Sequence, residues 1–291
     1  MGGPPADAPG PARATTAVDH AVINVRDDMD RAVERFAAFG FTLTARGYHS
    51  LGSINHLMVF DSDYLELVGL PVGAKRVRRE IADSPTGLNG LVFATDDAAG
   101  LAERLSARGV PVEDVVAFHR PVTLEGVEQR ASFRTLPMAP GYVHGGRVYF
   151  CEHETRELVW RPEWQAHRNG VHGLAEFTLV VPEPEGEAWR YRQMTGASPL
   201  QRTPGEWELA LRACRLRLVT PDAYRARYGA FGVDAGGRDA FMGALALRTS
   251  ALARVGECLA AMRDAVDVQT VPGRIVVGAA SAWNAVLEFV E

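Results

Sequence analysis

The sequence predicts an α+β protein in which one βαβββ module occurs four times and the modules pair into two half-barrel domains. The first observation is the recurrence itself, since the order of strand, helix and further strands returns four times along the chain. The second is length, because 291 residues exceed one typical core and favour two domains. The third is burial: a lone module cannot cover its sheet, whereas two matched sheets close into a concave half-barrel with helices outside.

The first module shows the pattern most clearly. Polar residues flank its first strand, Asp28 is typical of a helix N-terminus, and Gly40 is typical of a helix end. Apolar residues at helical spacing lie between these two positions. The predicted elements are strand 18–25, helix 29–39 and strands 41–46, 56–60 and 64–70.

The other three modules repeat this order with weaker signals. Module two is predicted as strand 87–94, helix 98–108 and late strands 147–151 and 156–160; module three as strand 174–181, helix 186–195 and strands 207–211 and 215–220; module four as strand 244–248, helix 252–265 and strands 274–278 and 285–290. Residues 118–146 are long and irregular for such a module, which is typical of a lid, a binding loop or a disordered segment. Linkers are predicted at 71–86, 161–173 and 221–240.

Pairing the modules predicts two domains after a tail. Residues 1–17 are rich in Pro, Ala and Gly and are predicted to be disordered. Residues 18–165 form the first domain, from modules one and two, and residues 172–291 form the second, from modules three and four. All eight histidines lie between His20 and His172, so the functional site is predicted in the first domain and the second is predicted to be degenerate.

Composition excludes several classes of protein. The formal net charge is −5, and the arginines are scattered and balanced by acidic residues, so neither nucleic acid nor a membrane is an expected partner. No apolar stretch reaches the roughly 18 residues of a transmembrane helix. Three distant cysteines without a CxxC spacing indicate free thiols in a reducing compartment, and the predicted location is cytoplasmic.

A small molecule is the predicted partner. Several aromatic residues surround the expected pocket, which is typical of a site for an organic substrate and equally of a sheet core. They are Tyr48, Tyr149, Phe150, Trp160 and Trp164. Exposed sheet edges are compatible with a homodimer, although no residue identifies its interface.

Three segments carry a resemblance to a known family. They are DHAVINV (19–25), HSLGSINHLMVF (49–60) followed by YLELVGL (64–70), and YFCEHETRELVWRPEW (149–164). In these segments the chain resembles the glyoxalase-like domain family of the vicinal-oxygen-chelate superfamily, which also contains glyoxalase I, bleomycin-resistance proteins and extradiol dioxygenases. The resemblance implies two vicinal-oxygen-chelate half-barrels, while modules three and four match in pattern only.

The resemblance also implies a metal site on the first and fourth strands of paired modules. Superposing the modules places His20 and Glu66 at these positions in module one, and Asn89 and Glu157 in module two. One imidazole, two carboxylates and an amide oxygen would suit a divalent Mn, Fe, Ni, Co or Zn ion. Asn89 is the weak member of the set, because an uncharged amide is a poor ligand.

Three residues are candidates for acid–base catalysis in this domain. Glu157 is predicted to leave the metal and act as base. His49 and His56 flank the LGSIN segment and could donate or accept a proton, since imidazole titrates near neutral pH. The alternative for each is a structural role, in which a histidine satisfies backbone groups and a strand glutamate is solvated or salt-bridged.

The second domain is predicted to bind no catalytic metal. Its superposed positions are Glu176, Arg217, Met242 and Glu288. A guanidinium and a thioether cannot complete a shell of hard ligands. Glu176 and Arg217 are instead predicted to form an ion pair.

The sequence therefore predicts a lyase or isomerase that uses a metal to move a proton on a small oxygenated carbonyl compound. A ring-opening dioxygenase ranks lower, because only one histidine occupies a first-strand position. A non-catalytic binder of the bleomycin-resistance kind would use the same pocket without a metal. A structural protein with a degenerate site is the third hypothesis.

Overall fold

The computed structural model describes residues 16–73 and 78–291. The first half contains β1 (Val18–Arg26), α1 (Met29–Ala38), β2 (Gly47–Tyr48), β3 (Ile54–Val59), β4 (Tyr64–Gly69), α2 (Arg79–Ala82), β5 (Gly87–Ala94), α3 (Ala98–Ser106), β6 (Val116–Leu124), β7 (Val127–Pro137) and β8 (Arg147–His153). The second half contains α4 (Pro162–Gln165), β9 (Val171–Val180), α5 (Pro184–Thr195), β10 (Pro199–Thr203), β11 (Glu206–Ala210), β12 (Arg215–Val219), α6 (Pro221–Tyr228), β13 (Phe241–Thr249), α7 (Leu252–Ala260), β14 (Val268–Val271), β15 (Arg274–Val277) and β16 (Val286–Val290). None of the helices in these ranges has the length and apolar character needed to span a membrane.

The strands form two eight-stranded sheets of the same topology. Their orders are β2-β3-β4-β1-β5-β8-β7-β6 and β10-β11-β12-β9-β13-β16-β15-β14. In each sheet two four-stranded modules meet through their antiparallel first strands, β1 with β5 and β9 with β13. Within a module the first strand pairs in parallel with the fourth, as β1 does with β4. The predicted α+β fold of two vicinal-oxygen-chelate domains is confirmed.

Alternation along β1 separates a packed face from a concave face. Ala21 and Ile23 enter a core cluster with Phe36 of α1, whereas Val22 belongs to a separate cluster on the opposite face. The larger cluster also contains residues of the second sheet, so the two halves share one apolar core. Rings of Phe41 and Phe289 approach to 6.2 Å across that core. The concave face of the first sheet is left free to form a site.

The two ends of the first sheet approach each other. The backbone N–H of Ser50, just after β2, donates to the His119 carbonyl of β6 at 2.9 Å. Gly47 of β2 makes this approach possible, because a Cβ there would lie 3.0 Å from Arg120 Cδ and 2.2 Å from Asn55 Oδ1. The sheet therefore curls almost into a barrel around its concave face.

The prediction of an irregular segment at 118–146 was wrong. Most of it is the hairpin of β6 and β7, whose turn residues Glu125 and Gly126 have φ of 52° and 79°. Both values fit a two-residue hairpin turn. Many residues of the hairpin are exposed, so the apolar alternation that marks a half-buried strand is weak.

This hairpin changes which strand is the fourth of module two. Because β6 and β7 take the second and third places, the fourth strand is β8. The strand predicted at 156–160 is absent, and Arg156–Leu158 form a single 3-10 turn. The strand predicted at 41–46 was also wrong, since only Gly47–Tyr48 pair in that region.

The structure also corrects the ends of the predicted tail and of one linker. Residues 1–15 of the predicted tail lie outside the described residues, but Ala17 is ordered, bridges to Arg212 and accepts a hydrogen bond from the Ala94 N–H at 3.0 Å. The predicted linker 221–240 contains α6. Tyr224 and Tyr228 of this helix pack on the concave face of the second sheet. The space that stays open in the first half-barrel is therefore filled in the second.

Candidate functional site

A cavity of about 470 Å³ opens on the concave face of the first sheet. Its volume suits a small organic molecule. Strands from both modules line it, which follows from the curling of the sheet. Its polar and ionisable wall residues include His20, Tyr64, Glu66, Arg120, Tyr149 and Cys151.

His20 lies at the centre of a hydrogen-bonded group in this cavity. It is buried, and its ring stacks on Tyr64 with centroids 4.2 Å apart. Its Nδ1 lies 2.6 Å from Asp19 Oδ1. Its Nε2 lies 3.3 Å from the hydroxyl oxygen of Tyr149 and 3.6 Å from Glu66 Oε2. One imidazole edge is thus held by a carboxylate, while the other faces groups that can exchange a proton with it.

The charge of Asp19 determines the tautomer of His20. Burial alone would raise the pKa of the Asp19 carboxyl, but charge and hydrogen bonding from His153 and His20 outweigh it and hold that pKa well below its usual range. Asp19 is therefore a carboxylate at neutral pH and accepts from both rings, with His153 Nε2 at 3.0 Å. In neutral His20 the proton must be on Nδ1, which leaves the Nε2 lone pair facing the cavity.

Glu66 is oriented by a neighbouring amide. Asn55 Nδ2 donates to Glu66 Oε1 at 2.7 Å, so the second oxygen of the carboxylate turns toward His20. Alternation along β3 and β4 puts Asn55 and Glu66 on the concave face. Burial raises the pKa of the nearby Tyr149 hydroxyl, which therefore keeps its proton at neutral pH and can act as a donor.

Of the two histidines that were candidates for acid–base catalysis, His49 lines the cavity and His56 does not. His49 Nδ1 lies 3.0 Å from Ser53 Oγ, and burial, only partly opposed by the Glu66 charge, lowers the pKa of His49 to about 4. His56 points to the opposite face, where its Nδ1 lies 2.8 Å from the Thr44 carbonyl oxygen. His56 is therefore outside the cavity and does not fit the acid–base role for which it was a candidate, because Asn55 and Leu57 take the concave face of β3.

The predicted set of four metal ligands is not brought together. His20 and Glu66 converge, but Asn89 Oδ1 accepts a hydrogen bond from Arg147 Nε at 2.9 Å. Glu157 is exposed in the 3-10 turn after β8 and does not line the cavity. Its placement on a fourth strand was wrong, since β8 occupies that position. Two ligands and an engaged amide do not fit the hard, four-ligand site that was predicted.

The structure reveals a second group of donors beside His20. Ligand atoms of Asp19, Cys151 and His153 all lie within 4.8 Å of one another, and no other such trio of His, Cys, Asp or Glu was found in residues 16–73 and 78–291. The spacing of Cys151 and His153 in the CEH segment places both on one face of β8. The sequence could have predicted this shared face from the spacing of the two residues. It did not, because the strand was predicted to end at residue 151 and 156–160 was predicted as the last strand.

The second half-barrel has no comparable open site among the described residues of its concave face. The predicted ion pair of Glu176 and Arg217 is confirmed, with Oε1 and Nη1 3.8 Å apart. Glu288 is paired with Arg227 of α6 at 3.0 Å. Carboxylates that superpose on the ligand positions of the first half are thus neutralised by guanidinium groups.

Comparison with known sequences identifies one matching family. The sequence profile of the family described as "Glyoxalase-like domain" matches residues 18–195, more than half of the chain. No curated protein matches the chain by sequence. The matched range contains the entire first sheet and the cavity.

Solved structures that share the fold include the following three. A hypothetical protein from Staphylococcus aureus aligns over 94% of this chain and 98% of its own, with a TM-score of 0.66 and 12% identity. A fusion protein of a xylose isomerase-like TIM barrel and 4-hydroxyphenylpyruvate dioxygenase aligns over 97% of this chain and 50% of its own, with a TM-score of 0.57 and 14% identity. A mutant of 4-hydroxymandelate synthase from Streptomyces coelicolor aligns over 95% and 92%, with a TM-score of 0.52 and 11% identity. At these identities the similarity shows the fold alone.

Proposed function

Because the chain belongs to the glyoxalase-like domain family, we propose that its first half-barrel binds a small oxygenated carbonyl compound and moves a proton on it, as a lyase or isomerase does. One observation carries this proposal. Inside a cavity of about 470 Å³, the Nε2 edge of His20 faces the Tyr149 hydroxyl at 3.3 Å and the Glu66 carboxylate at 3.6 Å, while Asp19 holds the other edge. An oriented imidazole beside a proton donor and a carboxylate is a set suited to acid–base chemistry.

His20 is the proposed base. With Asp19 as a carboxylate, Nε2 can take a proton from the carbon next to a substrate carbonyl, and Asp19 then stabilises the imidazolium. Glu66 Oε2, 3.6 Å from Nε2, can share that proton. Returning it to a different carbon would complete an isomerisation, whereas loss of a leaving group from the neighbouring carbon would complete an elimination.

Tyr149 is the proposed donor to the substrate oxygen. Removing a proton beside a carbonyl places negative charge on the oxygen, and a hydroxyl group in a site removed from water stabilises that charge. The buried Tyr149 hydroxyl is protonated at neutral pH and lines the same cavity as His20. Since only His20 and Glu66 of the four predicted metal ligands converge, the proposed steps use only groups of the chain.

The non-catalytic binder is the second candidate. The observation that favours it is the aromatic character of the cavity wall, where Phe118 and Phe133 stack with centroids 5.1 Å apart. Stacking and burial could retain a ligand without changing it. For either function we propose a cytoplasmic protein, because the three buried cysteines are free thiols.

Proton exchange tests the catalytic proposal. The probe is 2-oxo-4-phenylbutyrate in deuterated water, and proton NMR follows the loss of its C3 protons with and without protein. We expect the wild-type protein to accelerate this exchange, and His20→Gln to reduce the acceleration by about 100-fold or more, the usual contribution of a positioned acid or base. His172→Gln is the control, since this partly exposed ring lies outside the cavity.

Calorimetry with the same probe separates the two candidates. Binding without exchange above the buffer rate would contradict the enzyme and support the binder. Exchange that His20→Gln leaves unchanged would show that another group is the base.

A further inference from the structure

Arg120 is a buried cation that forms no ion pair with the described residues. Only 3% of the residue is exposed, and it lines the cavity from β6. Its Nη2 has no hydrogen-bond partner among the described residues. Burial lowers the pKa of Arg120, and the nearby Tyr64 and Glu66 side chains only partly oppose this effect. A buried guanidinium with an unused N–H donor is costly in the absence of a partner.

In the second half-barrel, buried carboxylates are paired with arginines. Glu288, 2% exposed, lies 3.0 Å from Arg227 and 3.3 Å from Arg274. Glu176, 8% exposed, lies 3.2 Å from Arg215. Each buried carboxylate there has a guanidinium within an ion-pair distance. Arg120 in the first half-barrel differs from these arginines, because it forms no ion pair with the described residues.

The orientation of Arg120 shows where a partner would bind. On β6 its side chain lies between those of Phe118 and Val122 on the concave face. The residues that line the cavity include three arginines and three glutamates, so the lining as a whole is neutral. Arg78 and Glu80 form an ion pair at 2.5 Å, and Glu113 is exposed. The other two guanidinium groups, of Arg120 and of Arg147, which donates to the neutral amide of Asn89, therefore share one buried carboxylate, Glu66. A single negative charge on the ligand would pair with Arg120.

We propose that the ligand of this cavity carries a carboxylate that accepts hydrogen bonds from Arg120. A carboxylate matches the planar fork of a guanidinium and brings one negative charge, whereas a phosphate dianion would bring two next to Glu66. The inference rests on the proposed function, and it narrows the substrate class to carbonyl compounds that are also carboxylic acids. The stacked rings of Phe118 and Phe133 supply an apolar wall for the rest of the molecule.

A matched pair of probes tests the inference. Calorimetry at pH 7.5 compares 2-oxo-4-phenylbutyrate with its ethyl ester, which keeps the phenylbutyrate chain and the ketone, adds an ethyl group and has no charge. We expect the acid to bind the wild-type protein about 10- to 100-fold more tightly than the ester, the range of a hydrogen bond between charged groups. In Arg120→Gln this preference is lost, and in Arg120→Lys it is retained in part because the charge remains.

Two controls test whether a loss of acid preference is specific to Arg120. Arg134→Gln removes an exposed guanidinium from the same hairpin, and we expect it to leave the preference unchanged. Circular dichroism verifies that each variant is folded. Equal binding of acid and ester to the wild type, binding of neither, or an acid preference that survives in Arg120→Gln would overturn the inference. Inorganic phosphate competing more strongly than acetate would also overturn it, in favour of a phosphorylated ligand.

The outcome is distinguishable from failure of the proposed function. If the acid binds through Arg120 but its C3 protons do not exchange faster than in buffer, the carboxylate subsite stands and the proton-transfer proposal fails. If exchange depends on His20 while Arg120→Gln changes neither binding nor exchange, the proton transfer stands and the carboxylate subsite fails.

Discussion

At the scale of single residues, the site depends on the carboxylate of Asp19. It accepts from His20 and His153 at 2.6 and 3.0 Å and is held in its charged form by them. Without this contact the His20 ring could turn or take the other tautomer, and Nε2 would no longer face the cavity as a base. Asp19 is thus a positioning residue that acts through His20.

Replacing Asp19 by Asn tests this role. An amide nitrogen in place of an oxygen favours the tautomer with its proton on Nε2, which is unable to accept a substrate proton. We expect Asp19→Asn to lower the rate of deuterium exchange into 2-oxo-4-phenylbutyrate by about 10- to 100-fold, as loss of such an orienting partner does elsewhere. Affinity for the probe, measured by calorimetry, is expected to change less than twofold. A larger loss of affinity than of rate would contradict the positioning role.

Some site residues followed from the sequence and others did not. His20 and Glu66 were predicted from the family resemblance, which implies ligands on the first and fourth strands, and the clear alternation of module one places both on the same face. Glu157 was predicted on the fourth strand of module two because the exposed strands β6 and β7 lack clear apolar alternation. Without them, residues 156–160 were predicted as the last strand of the module. Asp19 and His153 were not predicted, because their role arises from pairing between distant strands rather than from either local sequence.

At the scale of elements, the cavity depends on the approach of β2 to β6. Gly47 lies where the two strands approach, and a Cβ at this position would be 3.0 Å from Arg120 Cδ and 2.2 Å from Asn55 Oδ1. A side chain there would push away the amide that orients Glu66. The first strands and helices of the modules were predictable from their periodicity, but this closure was not, because it depends on the curvature of the whole sheet.

Gly47→Ala tests the closure. A methyl group must displace Asn55 or move β2, and we expect a loss of about 1–3 kcal/mol in the free energy of unfolding, as for other overpacked sites. We also expect weaker binding of 2-oxo-4-phenylbutyrate. Gly73→Ala is the control, because a Cβ there would meet no atom within 4 Å, although its φ of 72° adds some backbone strain. Equal stability of the Gly47 variant and wild type in urea denaturation would show that β2 is free to move.

At the scale of the whole molecule, the two halves are joined near a buried carboxyl group. Asp63, 3% exposed, accepts a hydrogen bond from the Leu174 N–H of β9 at 2.9 Å. Burial raises the pKa of Asp63 to about 7, although the bond from Leu174 opposes that shift. The folded protein therefore holds a proton on Asp63 between about pH 4 and 7, where the unfolded chain has released it.

This shift predicts a pH dependence of stability. The contribution of Asp63 is fully present below about pH 4 and is lost as the pH rises through 7, because the folded state binds more protons in that window. In Asp63→Asn this loss disappears, and we expect the variant to gain stability relative to wild type by up to about 4 kcal/mol between pH 4 and 8. Urea denaturation at several pH values measures the difference. Asp61→Asn, at an exposed neighbouring position, is expected to track the wild type.

The filled second half-barrel has a consequence for the open first one. Tyr224 and Tyr228 bury two aromatic rings where the first domain contains only solvent-accessible space. The first domain therefore buries less apolar surface on its concave face than the second domain does. It also contains Arg120, a buried cation without an ion-pair partner among the described residues. A ligand with an apolar part and a carboxylate would bury the apolar wall of the cavity and pair with Arg120. Ligand binding should therefore raise the melting temperature of the protein, so that a compound that fits the cavity would be recognisable before any turnover is measured.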